Sequence, residues 1–487
     1  MIYNVINDRR GEKRKMNKLY YQFPGTWFGD CMPYGKGDEF YLFHQRDNRN
    51  PCPFGEPFGW DLAVTSDFVE YKDMGTAIPR GTDEEQDQFI YAGSIFEAEG
   101  KYHAFYTGYN REYPKLGKAS QVLMHAVSDD LVHWTKTQDK LTFTPQEGYD
   151  PDDWRDPFVL RDEENDQYML ILGARKTGAK TQQTGRTVKF TSKDLKEWRF
   201  EGDFWAPDLF TMHEMVDLFK IGDWWYHVVT EYSDRSKMIY RMSKSINGPW
   251  IAPEDDAFDG RAYYAGRTFE LNGHRMLFGW VATKEECDDK KNYEWAGTFM
   301  AHEVYQREDG TLGVKIPDTV WNAFMEREKV EDFTIESDGR RTEKVIKGKC
   351  GDLYSFEADI TFSEGTRAFG VRCYDNADTG EAYQFIFHCN ENRYLCEKNP
   401  NWPWFSYLSQ GAERPIKLTG GKKYHVQMIV DDTIATIYVE GVALNARLYT
   451  KPGDGLGIFA SEGTVHVENC TVSTKLRNRR LQIGQGR

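Results

Sequence analysis

Three acidic side chains, Asp30, Asp156 and Glu214, have a spacing that could do shared chemistry. Each of them precedes a turn that opens a strand rich in apolar and aromatic residues, and these strands begin 10, 12 and 11 residues after the three acids. The acids therefore hold nearly the same position in three copies of one repeated unit. We expect the three carboxylates to meet around a common axis.

Carboxylates that converge in this way suit the cleavage of glycosidic bonds. Ionising all of them within a few ångströms is costly, so the group keeps a proton, with one pKa raised and another left low. A retaining glycosidase needs one ionised carboxylate as nucleophile and one protonated carboxyl as general acid, about 5 to 5.5 Å apart. A third acid can bind sugar hydroxyls and stabilise the positive charge of the transition state.

Each acid also has an ordinary structural interpretation. Asp30 could be a turn residue after Gly29, Arg155 and Asp156 could form a structural ion pair, and Glu214 could be an exposed loop acid. The joint spacing of the three acids favours catalysis over these separate interpretations.

The unit that positions the acids recurs five times along the chain. Its turn and strand are found at 37–43, 100–106, 165–171, 222–228 and 272–278. A second motif, Asp, apolar, any, any, aromatic, starts at Asp67, Asp130 and Asp194, which are 63 and 64 residues apart, and we interpret these aspartates as turn residues. Short strands at this period without long helical patterns are typical of a β-propeller. The sequence predicts an all-β fold with a five-bladed β-propeller.

Period-two alternation returns after the propeller and predicts a second domain. The stretch 355–362 alternates in this way, and further strand patterns at 424–430 and 434–439 indicate a C-terminal β-sandwich. We therefore predict a disordered N-terminal segment at 1–19, the propeller at 20–318, a linker at 319–345 with a helix at 320–329, the sandwich at 346–475, and a basic tail at 476–487.

The composition limits the classes of partner. The chain has 487 residues, a formal net charge of −15 and 15% aromatic residues. Its negative charge opposes binding to nucleic acid or to an anionic membrane surface and makes a neutral polar ligand the easier partner. The aromatic fraction fits a small-molecule sugar substrate, although strand cores also use aromatic residues. No apolar segment of the secretory or membrane-spanning kind is present, which predicts a cytoplasmic protein. The eight cysteines and the histidines lack metal-site spacing, so we predict no metal and no cofactor.

The local motifs resemble those of glycoside hydrolase family 32, the invertases, inulinases and levanases. The motifs that carry the resemblance are Trp27-Phe28-Gly29-Asp30, His44-Gln45, Gly93-Ser94-Ile95-Phe96, Trp154-Arg155-Asp156-Pro157, His213-Glu214-Met215-Val216-Asp217, Tyr263-Tyr264-Ala265 and Gly279-Trp280. A catalytic propeller followed by a β-sandwich is the architecture of that family, so the resemblance covers most of the chain.

The resemblance implies catalytic roles for the three acids. Asp30 would be the nucleophile, Glu214 the acid/base, and Asp156 the residue that binds fructose hydroxyls and stabilises the transition state. Arg155 would pair with the acids and help to keep the nucleophile ionised.

The resemblance also implies a set of substrate contacts. Gln45 and Ser94 would touch the fructosyl ring, Trp27, Trp60 and Trp280 would form walls of the pocket, Tyr264 would lie beside them, and Asp259 would contact the leaving-group sugar.

Two departures from the family pattern flank the acids. The family reads Trp-Met-Asn-Asp-Pro-Asn where this chain has Trp27 to Met32 with Gly29 in place of the asparagine, and it reads Glu-Cys-Pro-Asp where this chain has Glu214-Met215-Val216-Asp217. Both changes border the positions that select the sugar, so an unusual fructoside is an open alternative.

Three other functions are compatible with the same residues. The protein could be a fructosyltransferase, a furanosidase of the same clan that acts on another sugar such as an arabinofuranoside, or a sugar-binding propeller without turnover. Retention of all three acids argues against the last, because a binding protein gains little from a costly cluster of buried charges. The sandwich is interpreted as a structural brace, with a second sugar site or a homodimer surface as alternatives, and its concentrated aromatic loop contains Trp402, Trp404 and Phe405.

Overall fold

The computed structural model describes residues 5–7, 13–15, 18–49, 55–137, 143–400, 411–477 and 481–483. Strands dominate these residues, and the helical elements among them are α1 (Asp318–Trp321) and two 3-10 turns at Tyr113–Leu116 and Glu285–Cys287. The strands β1 (Val5–Asn7) and β2 (Lys13–Lys15) pair with each other in an antiparallel sheet.

Five successive units of antiparallel strands follow, each hydrogen-bonded in chain order. They are β3 (Trp27–Lys36), β4 (Glu39–Asp47), β5 (Trp60–Thr65) and β6 (Tyr71–Ile78); β7 (Phe89–Ala98), β8 (Lys101–Tyr109), β9 (Gln121–Ser128) and β10 (Trp134–Lys136); β11 (Tyr149–Asp162), β12 (Gln167–Lys176), β13 (Gly185–Ser192) and β14 (Trp198–Trp205); β15 (Glu214–Ile221), β16 (Trp224–Thr230) and β17 (Met238–Ser243); and β18 (Tyr263–Leu271), β19 (His274–Lys284), β20 (Tyr293–Gln306) and β21 (Leu312–Lys315).

The repeated aspartates lie in the turns that follow the third strands of the first three units. In the first unit, Asp67 Oδ1 accepts the backbone N–H groups of Val69 and Glu70 at 2.9 and 2.8 Å. Asp130 and Asp194 make the same pair of bonds in the second and third units. A short acceptor side chain is therefore needed at this turn, which confirms the structural role predicted for all three residues.

The first strands of the five units surround a common centre. They contact one another in the order β3, β7, β11, β15 and β18, and β18 contacts β3 again. A backbone pair between Phe28 and Gly297 also links the last unit to the first. This arrangement is consistent with a propeller, in which the innermost strand of each sheet lines the axis.

Eleven of the fourteen C-terminal strands in the described residues form one assembly that is consistent with a β-sandwich. The fourteen strands are β22 (Phe324–Met325), β23 (Glu328–Lys329), β24 (Phe333–Lys347), β25 (Leu353–Phe362), β26 (Ala368–Asp375), β27 (Ala382–His388), β28 (Arg393–Asn399), β29 (Glu413–Pro415), β30 (Lys423–Asp431), β31 (Ile434–Val439), β32 (Val442–Arg447), β33 (Gly455–Ser473), β34 (Lys475–Leu476) and β35 (Leu481–Ile483). Strand β33 is long enough to pair with β26 at one end and with β25 at the other. The strands β22, β34 and β35 pair outside this assembly.

The segment after the propeller differs from the predicted helical linker. The helix α1 ends at Trp321, and the residues that follow form β22 and β23, which pair with β34 and β33. Strand β24 then pairs along the length of β33. Pairing with the sandwich outweighs the weak local preference for helix at 320–329, so strands of the C-terminal sheets begin inside the region assigned to the linker.

A segment near the start of the chain contacts the sandwich, and a segment near its end contacts the propeller. The disorder predicted for 1–19 concerns residues that lie mostly outside those described, but the N–H groups of Lys18, Leu19 and Tyr20 donate to Asp431 of the sandwich. Within the predicted basic tail, β35 pairs in parallel with β6 of the propeller. The aromatic loop at Trp402, Trp404 and Phe405 lies outside the described residues.

Candidate active site

A β-bulge interrupts the first strand of each of the five units at the same place. In every case two residues on the first strand face one residue on the second, and the bulged pairs are Gly29–Asp30, Tyr91–Ala92, Asp156–Pro157, Met215–Val216 and Ala265–Gly266. A bulge bends its strand and changes the direction of the side chains beside it. The first bulged residue has positive φ at Asp156, Met215 and Ala265 (62°, 50° and 54°).

The three acids come from neighbouring positions of this bulge and not from one equivalent position. Glu214 lies just before the bulge of its unit, Asp156 is the first bulged residue of its unit, and Asp30 is the second. The offsets of 10, 12 and 11 residues do not follow the order of these three positions, because the first bulged residues lie 11, 12 and 10 residues before the strand starts at Phe40, Tyr168 and Trp225. The convergence predicted from the repeat is present, while the equivalence of position is not.

The bulges open onto a cavity of about 590 Å³. Its lining includes six of the residues predicted for the site, which are Asp30, Gln45, Arg155, Asp156, Glu214 and Tyr264. This volume lies within the range of small-molecule sites, about 300 to 1,000 Å³.

Asp30 lies against an indole at the base of the cavity. The Nε1–H of Trp280 donates to Asp30 Oδ1 at 3.2 Å, which favours the ionised carboxylate. Burial, together with the charges of Asp156 and Glu214, nevertheless raises the pKa of Asp30 to about 8. The raised pKa favours the protonated carboxyl of Asp30 at neutral pH.

Asp156 is buried and held by backbone contacts on both sides. Its own N–H donates to Thr107 Oγ1 at 2.9 Å, and its Oδ2 accepts the N–H of Met215 at 2.9 Å. Burial raises the pKa of Asp156, and the charge of Glu214 adds to this effect against the opposing charge of Arg155. The buried guanidinium of Arg267 donates to the carbonyl oxygen of Asp156 at 2.7 Å and holds the backbone of the bulge in place.

Glu214 accepts hydrogen bonds from two side chains. Arg155 Nη2 donates to Oε1 at 2.8 Å, and the Tyr264 hydroxyl donates to Oε2 at 2.7 Å. Burial and the charge of Glu214 raise the pKa of Tyr264, so its phenol stays protonated and serves as the donor. Arg155 pairs on its other side with Asp153 at 2.7 Å. Arg155 thus pairs with one of the three acids, Glu214, as the resemblance implied, and the ion pairs of the described residues do not include one between Arg155 and Asp30.

Gln45 lines the cavity and has a buried acceptor. The side chain is 1% exposed, and its Nε2 donates to the carbonyl oxygen of Ile90 at 3.2 Å. Its Oε1 is buried and has no hydrogen-bond partner among the described residues. A buried acceptor of this kind is costly unless a ligand donates to it, so its position supports the predicted contact with a sugar hydroxyl.

Two residues predicted to touch substrate lie in the protein interior. Trp60 is fully buried, and its Nε1–H donates to the carbonyl oxygen of Tyr91 at 3.0 Å. Ser94 Oγ accepts the N–H of Val159 at 3.1 Å and joins the second unit to the third. The structure brings neither side chain to the lining of the cavity. Phe58, two residues before Trp60, contributes to the wall instead.

Trp27, Trp280 and Asp259 also lie outside the lining residues. The guanidinium of Arg49 stacks over the Trp27 ring with 4.4 Å to its centroid, whereas Trp280 reaches the site through its bond to Asp30. Asp259 is 2% exposed and accepts the backbone N–H of Asn445 at 2.7 Å. It therefore lies at the contact with the sandwich and is not placed to meet a leaving-group sugar.

One side of the cavity is formed by aromatic rings that the sequence did not reveal as site residues. We define the aromatic wall as Trp295, Phe58, Tyr91 and Tyr109. Neighbouring rings along it are nearly parallel, with centroid distances of 5.8, 6.5 and 4.6 Å. Tyr91 holds the same bulge position as Asp156, a correspondence that only the strand register shows. The others come from strands and loops without any repeated motif.

The described residues contain neither a group of three or more His, Cys, Asp and Glu side chains that could hold a metal ion nor a helix able to cross a membrane.

Comparison with known proteins identifies the family architecture over most of the chain. Residues 27–308 match the glycosyl hydrolases family 32 N-terminal domain, and residues 322–474 match the glycosyl hydrolases family 32 C-terminal domain. A levanbiose-producing levanase of Bacillus subtilis is 25% identical, with 90% of this chain and 86% of that protein covered. A sucrose-6-phosphate hydrolase of Escherichia coli is 23% identical, with 95% of each covered.

Solved structures show the same fold. Fructan 1-exohydrolase IIa from Cichorium intybus superimposes with a TM-score of 0.78 at 15% identity and covers 97% of this chain and 99% of its own. Sucrose-6-phosphate hydrolase from Lactobacillus gasseri superimposes with a TM-score of 0.74 at 18% identity, with 95% and 93% covered.

Proposed function

The chain belongs to glycoside hydrolase family 32, and from this premise we propose that it is a retaining β-fructofuranosidase that releases terminal fructosyl units from sucrose or short fructo-oligosaccharides. The observation that carries the proposal is the meeting of Asp30, Asp156 and Glu214 at the bulges of three units on one cavity. We interpret the five units as five blades around the axis that this cavity occupies.

Asp30 acts as the nucleophile in this proposal. Its carboxylate oxygen bonds to the anomeric carbon of the fructosyl unit while the bond from that carbon to the leaving oxygen breaks. Trp280 supports the reactive form because its N–H stabilises the ionised carboxylate. Asp156 and the free Oε1 of Gln45 accept hydrogen bonds from fructosyl hydroxyls.

Glu214 acts as the acid and then as the base. Its proton passes to the leaving oxygen in the first step. In the second step its carboxylate takes a proton from water, the water oxygen bonds to the anomeric carbon, and the bond to Asp30 breaks. Arg155 and Tyr264 hold both oxygens of Glu214 and stabilise it in the ionised state that the second step requires.

The location of the proton decides which form of the free site is reactive. Burial raises the pKa of Asp30, so the cluster keeps one proton at neutral pH. The form with that proton on Asp30 and the form with it on Glu214 have the same total charge, and only the second has an ionised nucleophile and a protonated acid. We propose that catalysis proceeds through this second form.

The relatives set the range of substrates to be tested. They are named as levanases and sucrose-6-phosphate hydrolases, which indicates fructans, sucrose and phosphorylated sucrose. Transfer of the fructosyl unit to a sugar acceptor would use the same intermediate, and an arabinofuranoside could occupy a site that has Gly29 beside the nucleophile. The cytoplasmic location and the homodimer stay predictions.

The test is incubation of the purified protein with sucrose, sucrose 6-phosphate, 1-kestose, inulin, levan and an aryl arabinofuranoside, with the products separated by chromatography. We expect release of free fructose that is lost in Asp30→Asn. Fructose found only in longer products would indicate a transferase. Release of arabinose alone would indicate the other furanosidase, and binding without any release would indicate a sugar-binding protein.

A further inference from the structure

Gly29, the residue directly before Asp30, leaves space that an aromatic ring fills. A Cβ atom added at Gly29 would lie 2.7 Å from Cη2 and 2.9 Å from Cζ2 of Trp295. Real Cβ atoms do not approach carbon this closely, so any side chain at this position would have to displace the indole. The backbone of Gly29 does not have positive φ, so the space and not the conformation requires glycine.

Neighbouring side chains hold both the backbone and the indole of Trp295. Arg49 Nη2 donates to the carbonyl oxygens of Trp295 and Ala296 at 2.6 and 3.1 Å. Phe58 stacks on the indole with an interplanar angle of 11°. The indole of Trp280, which donates to Asp30, packs nearly perpendicular to the indole of Trp295, with 6.2 Å between the ring centroids and an interplanar angle of 75°. The ring therefore has one well-defined position beside the nucleophile.

The aromatic wall leads from this position toward the opening of the cavity. It begins at Trp295 beside Asp30, continues through Phe58, Tyr91 and Tyr109, and ends near Arg111, which is exposed and lines the rim. In an enzyme that removes terminal units, the fructosyl unit occupies the base with the acids and the leaving group points outward. The leaving group must then lie along the wall.

We propose that Gly29 and Trp295 form a specificity-determining pair: the missing side chain admits the indole beside Asp30, and the resulting wall selects a leaving group with a flat, carbon-rich face. This inference rests on the proposed β-fructofuranosidase function. A sugar ring has such a face on one side, and an aryl group has one on both sides. Leaving groups without a ring gain nothing from the wall.

The test compares leaving groups on one fructosyl unit. The kcat/KM of the wild type, Trp295→Ala and Gly29→Ala is measured with sucrose, p-nitrophenyl β-fructofuranoside and methyl β-fructofuranoside. For both variants we expect a loss of about tenfold or more on the first two substrates and of less than about threefold on the methyl fructoside. The ratio of the sucrose loss to the aryl loss distinguishes a sugar face from an aromatic one as the preferred partner.

A matched control separates this effect from general strain in the strand. Gly35 lies on the same strand β3, and a Cβ there would approach Phe269 Cε1 to 2.8 Å, away from the acids. Gly35→Ala should lower stability in the same way as Gly29→Ala and leave the ratio of kcat/KM values between sucrose and methyl fructoside unchanged. Equal losses on all three substrates in Trp295→Ala would overturn the inference and leave the proposed function intact.

A binding measurement covers the case of slow turnover. Calorimetric titration of Asp30→Asn should show tighter binding of sucrose than of methyl β-fructofuranoside, and the added Trp295→Ala change should remove the difference. Equal affinities in Asp30→Asn alone would overturn the inference. Absence of both binding and turnover with every fructoside would overturn the proposed function and the inference together.

Discussion

At the scale of single residues, the central property of the site is the cost of charge on Asp30. Its carboxyl is partly buried, lines the cavity beside two further acids and accepts an indole N–H. The same crowding that would make the ionised carboxylate reactive in the proposed mechanism also makes the ionised form unfavourable. Removing the acid should therefore have opposite effects on activity and on stability.

We expect Asp30→Asn to abolish turnover and to stabilise the fold at neutral pH. The pKa of Asp30 is raised from its ordinary value to about 8, so its stabilising contribution is complete below about pH 4 and is lost as the pH rises through 8. The variant lacks this loss and should be more stable at pH 7, on the order of 3 kcal/mol in the free energy of unfolding. Thermal melts of both proteins from pH 4 to pH 8.5 measure the difference, which should grow with pH.

Asp130→Asn provides a control of opposite sign. Burial raises the pKa of Asp130, but hydrogen bonds from the side chain and backbone of His133 and from Val132 outweigh it and lower the pKa overall. This variant should therefore lose stability at neutral pH, and the loss should disappear on acidification. A melting temperature for Asp30→Asn that exceeds the wild type by the same amount at every pH would contradict the raised pKa of Asp30.

Trp280→Phe should reduce activity through the proton distribution. Loss of the indole N–H further raises the pKa of Asp30, because that bond lowers it in the wild type. The proton then stays more often on the nucleophile, so we expect the kcat/KM plateau to fall by about tenfold, the effect of roughly 1.4 kcal/mol. The basic limb of the pH profile should move from near pH 8 to higher pH.

Trp60→Phe is the matched control for that experiment. Trp60 is also a buried indole, but it donates to the carbonyl oxygen of Tyr91 and not to an acid. Its replacement should lower the melting temperature and leave the basic limb in place. If the basic limb of the pH profile of kcat/KM moved equally in both variants, a general loss of packing around the site, and not the bond to Asp30, would determine its position.

At the scale of elements, the bulges determine how five similar strands supply five different sets of side chains. Thr107 lies opposite the bulge of the second unit, where its Oγ1 donates to the carbonyl oxygen of Ala92 at 3.1 Å and accepts the N–H of Asp156 at 2.9 Å. One hydroxyl thus connects the bulges of two neighbouring units and orients an acid of the site.

Thr107→Val should lower both stability and activity. Valine has the same shape but leaves a buried carbonyl and a buried N–H without partners, which costs about 2 to 4 kcal/mol in the free energy of unfolding. We expect kcat/KM to fall by more than tenfold because Asp156 loses its orientation. Thr187→Val is the control, since Thr187 is equally buried but bonds to His213 and His227. Similar activity losses in both variants would show that the effect is not specific to Asp156.

The strands and the acids could be predicted from the sequence because both depend on local patterns. Turn residues, period-two alternation and the repeat spacing are written in consecutive residues, so the units and the convergence of the acids follow from them. The bulge positions do not follow, because an extra residue in a strand changes the register without changing its composition. Trp60 and Asp259 were assigned to the substrate by family position, while burial and pairing place them in the interior.

The aromatic wall could not be read from the sequence for a related reason. Its rings come from strands of the second and fifth units and from a segment before β5, so only the closed ring of sheets brings them together. Aromatic residues make up 15% of the chain and occur both in the core and around the cavity, so composition alone does not distinguish the two locations. Likewise, the sequence does not show that Gly29 makes room for Trp295, because the two residues are more than 260 positions apart.

At the scale of the whole molecule, the propeller and the sandwich form a continuous structure. The main hydrophobic core of the propeller includes Leu353, Ile429, Ile434, Tyr438 and Ala443 from the sandwich. Arg414 of the sandwich donates to both oxygens of Asp255 at 2.9 and 2.7 Å. These contacts support the interpretation of the sandwich as a brace.

Asp259→Asn should test this brace without affecting catalysis. Asp259 is buried, and its oxygens accept bonds from His302 at 3.1 Å and from the backbone and side chain of Asn445 at 2.7 and 2.5 Å. Burial raises the pKa of Asp259, but these partners and the charge of Arg414 lower it overall. Its stabilising contribution is therefore present above the ordinary pKa of an aspartate and is lost as the pH falls through the folded-state value.

The variant should accordingly lose about 2 kcal/mol in the free energy of unfolding at pH 7, since hydrogen bonds to a charged group are the stronger kind. The difference from the wild type should shrink below about pH 4, and thermal melts across this range measure it. The kcat/KM on sucrose should stay within about twofold of the wild type, because Asp259 bonds to the sandwich and does not line the cavity. A rise in KM for sucrose with unchanged stability would instead restore the contact with the leaving-group sugar that the family resemblance implied.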